Sequence, residues 1–196
     1  GGKDPYSASK ACTEILTKSH ALSFNDLKLC TARAGNILGG GDWAKNRIIT
    51  DIVESIQKKK DIVVRNPMAI RPWQHVIDVV NGYLKLGIYN QEKEEVFDSF
   101  NFGPTEENEI TVEMLTQKFM SNWNSCNSKV ILDDKENLPE SKILRLDSTK
   151  AKKILNWEPL MDIENTIKET ALWYEKFYSE KDIYDFTIKQ INKYLN

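Results

Sequence analysis

A helix that gives way almost at once to a buried strand constrains this chain more than any other feature. Asp4 suits an N-cap, and Pro5 suits the first helical position, where a missing N–H costs nothing. Ala8, Lys10, Ala11, Glu14, Ile15, Leu16 and Leu22 continue the helical pattern to about residue 24. Asn25-Asp26 reads as a turn, and Leu27 to Ala34 (L-K-L-C-T-A-R-A) alternates and then runs apolar, as a buried strand does. Helix followed directly by such a strand is the second half of a βαβ unit, whose opening strand is expected before residue 1. The fold class is therefore α/β.

The rest of the pattern agrees with that class. Arg47 to Lys59 is amphipathic, with Ile48, Ile49, Ile52, Val53 and Ile56 on its inner side. Asp61 to Val64 predicts a short strand, Asp78 to Tyr89 a helix, residues 91–98 an exposed loop, and Phe100 to Pro104 a strand ending in a turn. Thr111 caps a predicted helix of about fifteen residues that runs through Met114, Leu115, Phe119 and Trp123. Lys129–Leu132 and Ile143–Leu146 read as strands joined by an acidic, Pro-containing loop. Asp147-Ser148 caps a short helix that Trp157-Glu158-Pro159 stops, and from Asp162 the chain is mostly helical, its aromatic residues most simply core packing.

Composition excludes several classes of function. The 196 residues suffice for one core, or for one domain plus part of another. A net charge of −2 gives no nucleic-acid surface, and Lys58 to Lys60 read as the solvated end of a helix. No apolar run approaches membrane length and no signal peptide is visible. Cys12, Cys30 and Cys126 are scattered and odd in number, as reduced packing residues of a cytoplasmic protein would be. With only His20 and His75, a zinc site is not expected.

Three stretches carry candidate chemistry. Tyr6 and Lys10 are four apart, so a helix places phenol and ammonium on one face. An ammonium near a phenol favours the phenolate, which can act as a general base, although the same pair occurs by chance in many helices. Gly35 to Trp43 is glycine-rich and leaves the C-terminal end of a strand, where open α/β sheets bind ligands. Such a loop can cradle phosphate or simply turn, and its glycine spacing is not that of a dinucleotide fingerprint. Arg65 to Val76 holds two prolines and three arginine or histidine side chains in an irregular loop, in which arginine suits phosphate and Trp73 either covers a flat ring or tucks into the core. His75 taken alone is equally a structural histidine.

The string D-P-Y-S-x-S-K-A resembles the Tyr-x-x-x-Lys segment of the extended short-chain dehydrogenase/reductases. R-A-G-N-I-L-G-G-G-D-W-A-K-N-R-I-I-T-D, then R-N-P-x-x-I-R-P-W-Q-H-V, then F-N-F-G-P are similar to the CDP-glucose 4,6-dehydratase branch of that family. Arg33, Asn36, Arg71 and the Trp157-Glu158-Pro159 ending resemble the wider nucleotide-sugar branch. The resemblance covers nearly the whole chain and is weakest near 133–140.

That resemblance implies a three-stage reaction on tightly bound NAD: oxidation of the sugar C4 hydroxyl, loss of water across C5 and C6, and return of the hydride to C6. Tyr6 would take the C4 hydroxyl proton, and Lys10 would hold the nicotinamide ribose. Asn36 and Arg71 would contact the diphosphate of CDP-glucose. Asp42, Trp43, Arg47, Asn66, Trp73 and His75 are nominated for the same pocket, and Lys142 for a further phosphate contact. The implied fold is the C-terminal part of a Rossmann-type domain (1–34) plus a small mixed α/β substrate domain (35–196), some of whose segments return to the Rossmann sheet. The family's N-terminal glycine motif and its elimination acid/base residues have no counterpart in the sequence. A C-terminal fragment, inactive alone, is therefore expected, with a homo-oligomeric enzyme as the full-length form. Other nucleotide-sugar epimerases or dehydratases, and a non-catalytic nucleotide-sugar-binding module, are the competing readings.

Overall fold

The computed structural model describes residues 4–24, 26–105, 109–124, 126–133, 142–180 and 182–195. Helix α1 (Pro5–Ser23) starts as its sequence predicts: the Asp4 carboxylate accepts from the Ser7 amide at 2.9 Å and from the Ser7 hydroxyl at 2.6 Å. Strand β1 (Leu29–Ala34) follows. It pairs in parallel with β6 (Phe97–Phe102), in register from Leu29 opposite Phe97 to Ala34 opposite Phe102. Helices α1, α3 (Val76–Glu92) and α5 (Thr149–Leu155) pack on this pair.

The core here is aromatic. Phe100, Phe102 and Trp157 are fully buried, and Phe102 meets Trp157 edge-on with ring centroids 5.0 Å apart. Burying side chains of this size contributes about 1.5–3 kcal/mol each. Gly82 on α3 is required by this packing: a Cβ there would lie 2.6 Å from the Phe102 ring. The Trp157 indole N–H donates to the Asp78 carbonyl at 3.0 Å, so the helix stop at Trp157-Glu158-Pro159 is also a tether to α3.

A second core joins α2 (Ile48–Gln57), β3 (Ile62–Val64), α4 (Val112–Ser121) and α6 (Ile163–Ser179). All the isoleucines and the valine expected on the inner side of α2 pack into it. Strand β3 pairs in parallel with β8 (Val130–Leu132), and the final helix α7 (Tyr184–Leu195) packs on α6.

Several expectations are corrected. The glycine-rich stretch opens with a short strand, β2 (Asn36–Leu38). The supposedly irregular Arg65–Val76 segment contains β4 (Ile70–Arg71) and β5 (Trp73–His75). β2 pairs with β5 in parallel, and β4 pairs with β7 (Ile110–Thr111) antiparallel. Unlike the equally short β3 and β8, which are runs of valine, isoleucine and leucine, β2, β4 and β5 mix in polar residues and lie beside glycine or proline, so only their tertiary pairing reveals them. Ile143–Leu146 forms one bridge, Ile143 to Ile70, instead of a strand. Helix α4 has ten residues, because the Asn122 amide turns back onto the Lys118 and Phe119 carbonyls. Within 91–98, Lys93 is buried rather than exposed, its ammonium donating to the Leu29 carbonyl at 2.8 Å. The acidic, Pro-containing loop lies largely outside the described residues. No helix among the described residues is long and apolar enough to cross a membrane.

Candidate active site

The parallel pairing of β2 with β5 sets the site. Register puts Asn36 opposite Trp73, which brings Arg71, two residues earlier, to the same end of the strands. Two cavities of about 470 and 630 Å³ meet there and share Asn36, Ile37, Asp42, Arg47 and Arg71 along their common wall. Together they form one open trough.

Tyr6 lines the larger cavity from the first turn of α1 and is 71% exposed. One helical turn on, the Lys10 ammonium stands 5.6 Å from the centroid of the Tyr6 ring. Among the described residues no carboxylate forms an ion pair with Lys10, so its donors remain available to a hydroxyl-rich ligand.

The shared stretch is polar and cationic. The Arg71 guanidinium donates to the Ile70 carbonyl at 3.0 Å and reaches the Lys142 carbonyl at 3.5 Å, which steadies its base. Arg47 Nε lies 3.8 Å from Asp42 Oδ2, too far for a short ion pair. Asp42 Oδ1 accepts from the Ala44 amide at 2.9 Å, closing the turn after the glycines. Gly41 sits at φ 86°, a left-handed conformation that favours glycine.

The smaller cavity continues past the arginines along Asn66 and Trp73. Asn66 adopts φ 50°, as asparagine tolerates, and turns the chain from β3 toward β4. Trp73 is 4% exposed, and no described residue accepts from its indole N–H.

Three nominated residues are not brought into the trough. Trp43 packs outside it, edge-on to Tyr174 at 5.3 Å and tilted on Phe177 at 4.9 Å, and so pins the glycine-rich turn to α6. His75 is buried at the N-cap of α3, where its Nδ1 accepts from the Ile77 amide at 3.3 Å. Burial pulls the His75 pKa down to about 4 against the opposing charge of Glu169, so the ring is a neutral cap at neutral pH. Lys142 is exposed and lines neither cavity; its carbonyl serves β4 by accepting from the Ile70 amide at 2.9 Å.

Sequence reading missed Asn46, Asp51 and Val63, which line the smaller cavity together with Arg65, an arginine of the stretch singled out for phosphate. Asp51 follows Arg47 by one helical turn, a spacing that hinted at a shared face. Burial pushes the Asp51 carboxyl up, and the Arg65 guanidinium 3.7 Å away works against that. Tyr174, which holds the turn at Asp42 from 132 residues away, had no sequence signal.

A family model described as GDP-mannose 4,6 dehydratase matches residues 2–170. The chain belongs to this family. Among curated proteins, this member of the GDP-mannose 4,6 dehydratase family is 34% identical to CDP-glucose 4,6-dehydratase of Salmonella typhimurium, over 100% of the chain and 57% of that relative. It is 25% identical to UDP-glucose 4-epimerase of Mycoplasma pneumoniae, over 90% of the chain and 55% of the relative. The chain thus spans little more than half the length of the curated relatives it matches. Among solved structures, dTDP-glucose 4,6-dehydratase from Bacillus anthracis in complex with NAD aligns with a TM-score of 0.73 at 20% identity, covering 91% of this chain and 54% of that one. UDP-glucose 4-epimerase from Thermotoga maritima with UDP-glucose aligns with a TM-score of 0.74 at 22% identity, covering 89% and 54%. The chain therefore has the fold of the part of these Rossmann-type epimerases and dehydratases that it covers.

Proposed function

We propose that this chain supplies the nucleotide-sugar site and the acid/base pair of an NAD-dependent dehydratase converting CDP-glucose to CDP-4-keto-6-deoxyglucose. The observation that carries this reading is the single trough, with Tyr6 and Lys10 at one end and Asn36, Arg47 and Arg71 in its shared wall. Similarity to the Salmonella dehydratase across the whole chain favours the cytidine sugar.

The residues fit NAD at Lys10, whose unpaired ammonium can hold a ribose beside the phenol. Bound NAD would supply the hydride acceptor that a redox-neutral elimination borrows. Tyr6 Oη would accept the C4 hydroxyl proton as the C4 hydrogen departs, and the resulting ketone makes the C5 proton acidic. Arg71 and Arg47 would neutralise the diphosphate, and Asn36 would donate to one of its oxygens. Binding energy taken from the diphosphate would place C4 against Tyr6, the use of remote contacts that raises rate and not only affinity.

The test is product analysis, with the protein expressed together with any coding sequence upstream of Gly1. Incubation with CDP-glucose and NAD should yield a 4-keto-6-deoxy sugar that has lost water. A C4 epimer that keeps its C6 hydroxyl would show an epimerase instead. Nucleotide-sugar binding without turnover would show a binding module.

A further inference from the structure

The trough has a direction. Tyr6 lines only the larger cavity; Asp51 on α2, Val63 on β3, Arg65 and Val112 line only the smaller one; Arg71 and Arg47 lie where the two meet. With the sugar at Tyr6 and the diphosphate at the arginines, as proposed above, the far end is left for the nucleoside.

That end contains a second acid, Asp51, in addition to the Asp42 of the shared wall. Asp51 Oδ2 and Arg65 Nη2 stand 3.7 Å apart, with side chains 38% and 54% exposed. At that separation they are not a closed hydrogen-bonded pair, so each keeps capacity for a ligand. Side by side they present one acceptor and one donor. Cytosine offers the complement: the N4 amino group donates, and the adjacent N3 accepts. Uracil and thymine carry the reverse polarity, with O4 accepting beside an N3–H that donates. Against those bases Asp51 would face O4, and Arg65 would face an N–H. Val63, 53% exposed, offers apolar surface for a flat ring.

We propose that Asp51, with Arg65 beside it, reads the cytosine edge and selects cytidine diphosphate sugars over uridine and thymidine diphosphate sugars. This rests on the nucleotide-sugar reading of the trough and adds the element that discriminates among bases. Mismatched polarity sets the carboxylate against a carbonyl oxygen and the guanidinium against an N–H, which is how a polar pocket rejects a near-isostere more sharply than an apolar pocket can.

Calorimetric titration with CDP, UDP and dTDP tests the assignment in the parent protein and in Asp51→Asn, Arg65→Met and Arg71→Ala. The parent should bind CDP about 10-fold or more tighter than UDP or dTDP, as expected for a hydrogen bond to a charged group. Asp51→Asn should bring the three affinities to within about threefold, because an amide can rotate to offer either an acceptor or a donor. Arg65→Met should also narrow the gap, and it supplies a second reading should Asp51→Asn melt early. Equal affinities in the parent, with Arg71→Ala weakening all three, would keep the nucleotide-sugar site and overturn the role of Asp51. A cytidine preference that survives both Asp51→Asn and Arg65→Met would overturn it as well. Failure of the parent to bind any of the three nucleotides would overturn this inference together with the reading it rests on.

Discussion

The Tyr174 hydroxyl donates to the Asp42 carbonyl at 2.7 Å and accepts from the Asp42 amide at 3.1 Å, so a single phenol satisfies both backbone groups of one residue in the trough wall. Beside it, a Cβ on Gly40 would lie 1.9 Å from the Trp173 ring. The turn that carries Asp42 toward Arg47 is thus moulded on α6. Tyr174→Phe keeps the ring, strands the Asp42 amide and leaves the Asp42 carbonyl with only the Thr50 hydroxyl at 3.4 Å, which should cost about 1–3 kcal/mol in urea unfolding. Gly40→Ala should cost about as much through overpacking. An unchanged unfolding midpoint in Tyr174→Phe would mean that other contacts hold the turn.

Arg71→Ala should act on binding. Loss of a charge-assisted phosphate contact corresponds to about 1.5–3 kcal/mol, or roughly 10- to 150-fold in affinity for a nucleoside diphosphate sugar. Lysine should restore only part of this, because the two-pronged geometry goes. Calorimetry with CDP-glucose decides it, and an unaltered affinity would place Arg71 outside the site.

Tyr6→Phe should act on rate. The ring is largely exposed, so removing its oxygen leaves the packing of α1 intact. In protein expressed with any upstream coding sequence, turnover of CDP-glucose should fall by about 10²–10⁴-fold with little change in KM. Lys10→Met should differ by also weakening NAD retention. Near-parental turnover in Tyr6→Phe would reduce the opening stretch to a helix start.

Two neighbours on β5 and α3 pull stability in opposite directions as pH changes. His75 stays neutral in the fold down to about 4, whereas the unfolded chain protonates it below about 6.5; its contribution is lost as pH falls through that window. Asp78 is held protonated up to about 6 by burial, whereas the unfolded chain ionises it above about 3.8; its contribution is lost as pH rises through that window. Each term is on the order of 3 kcal/mol, so between about pH 4 and 6 they nearly cancel. His75→Asn keeps a capping acceptor and removes one term. Relative to the parent, its unfolding free energy should therefore fall as pH rises from 4 to 6, and parallel profiles would refute the assignment.

Helices and capping were legible because their signals are local. Asp4 and Thr111 cap as their sequence position suggests, and the apolar stripe from Ile48 to Ile56 is buried. The trough was legible only in outline. Asn36 and Arg71 meet because β2 pairs with β5, and nothing local in Asn36–Leu38 or Trp73–His75 marks them as partners. Trp43 and His75 have side chains suited to a pocket, yet an aromatic cluster on α6 takes one and a helix N-terminus takes the other. Tyr174 reads as core packing from its sequence and is buried, but its hydroxyl also serves the turn; nothing local distinguishes a phenol that packs from one that tethers.

The distance in sequence between Asp42 and Tyr174 matters during synthesis. The two are 132 residues apart, so a ribosome adding about 5–20 residues per second leaves the glycine-rich turn without its tether for on the order of 10 s. In that interval β2 and β5 have both emerged and can pair, but α6 is not yet available as a mould. The nascent chain therefore passes through a stage in which the Asn36 and Arg71 wall of the trough can form and its shape is not yet fixed. A holdase chaperone, or nucleotide sugar already present in the cell, would have its greatest influence on yield at that stage.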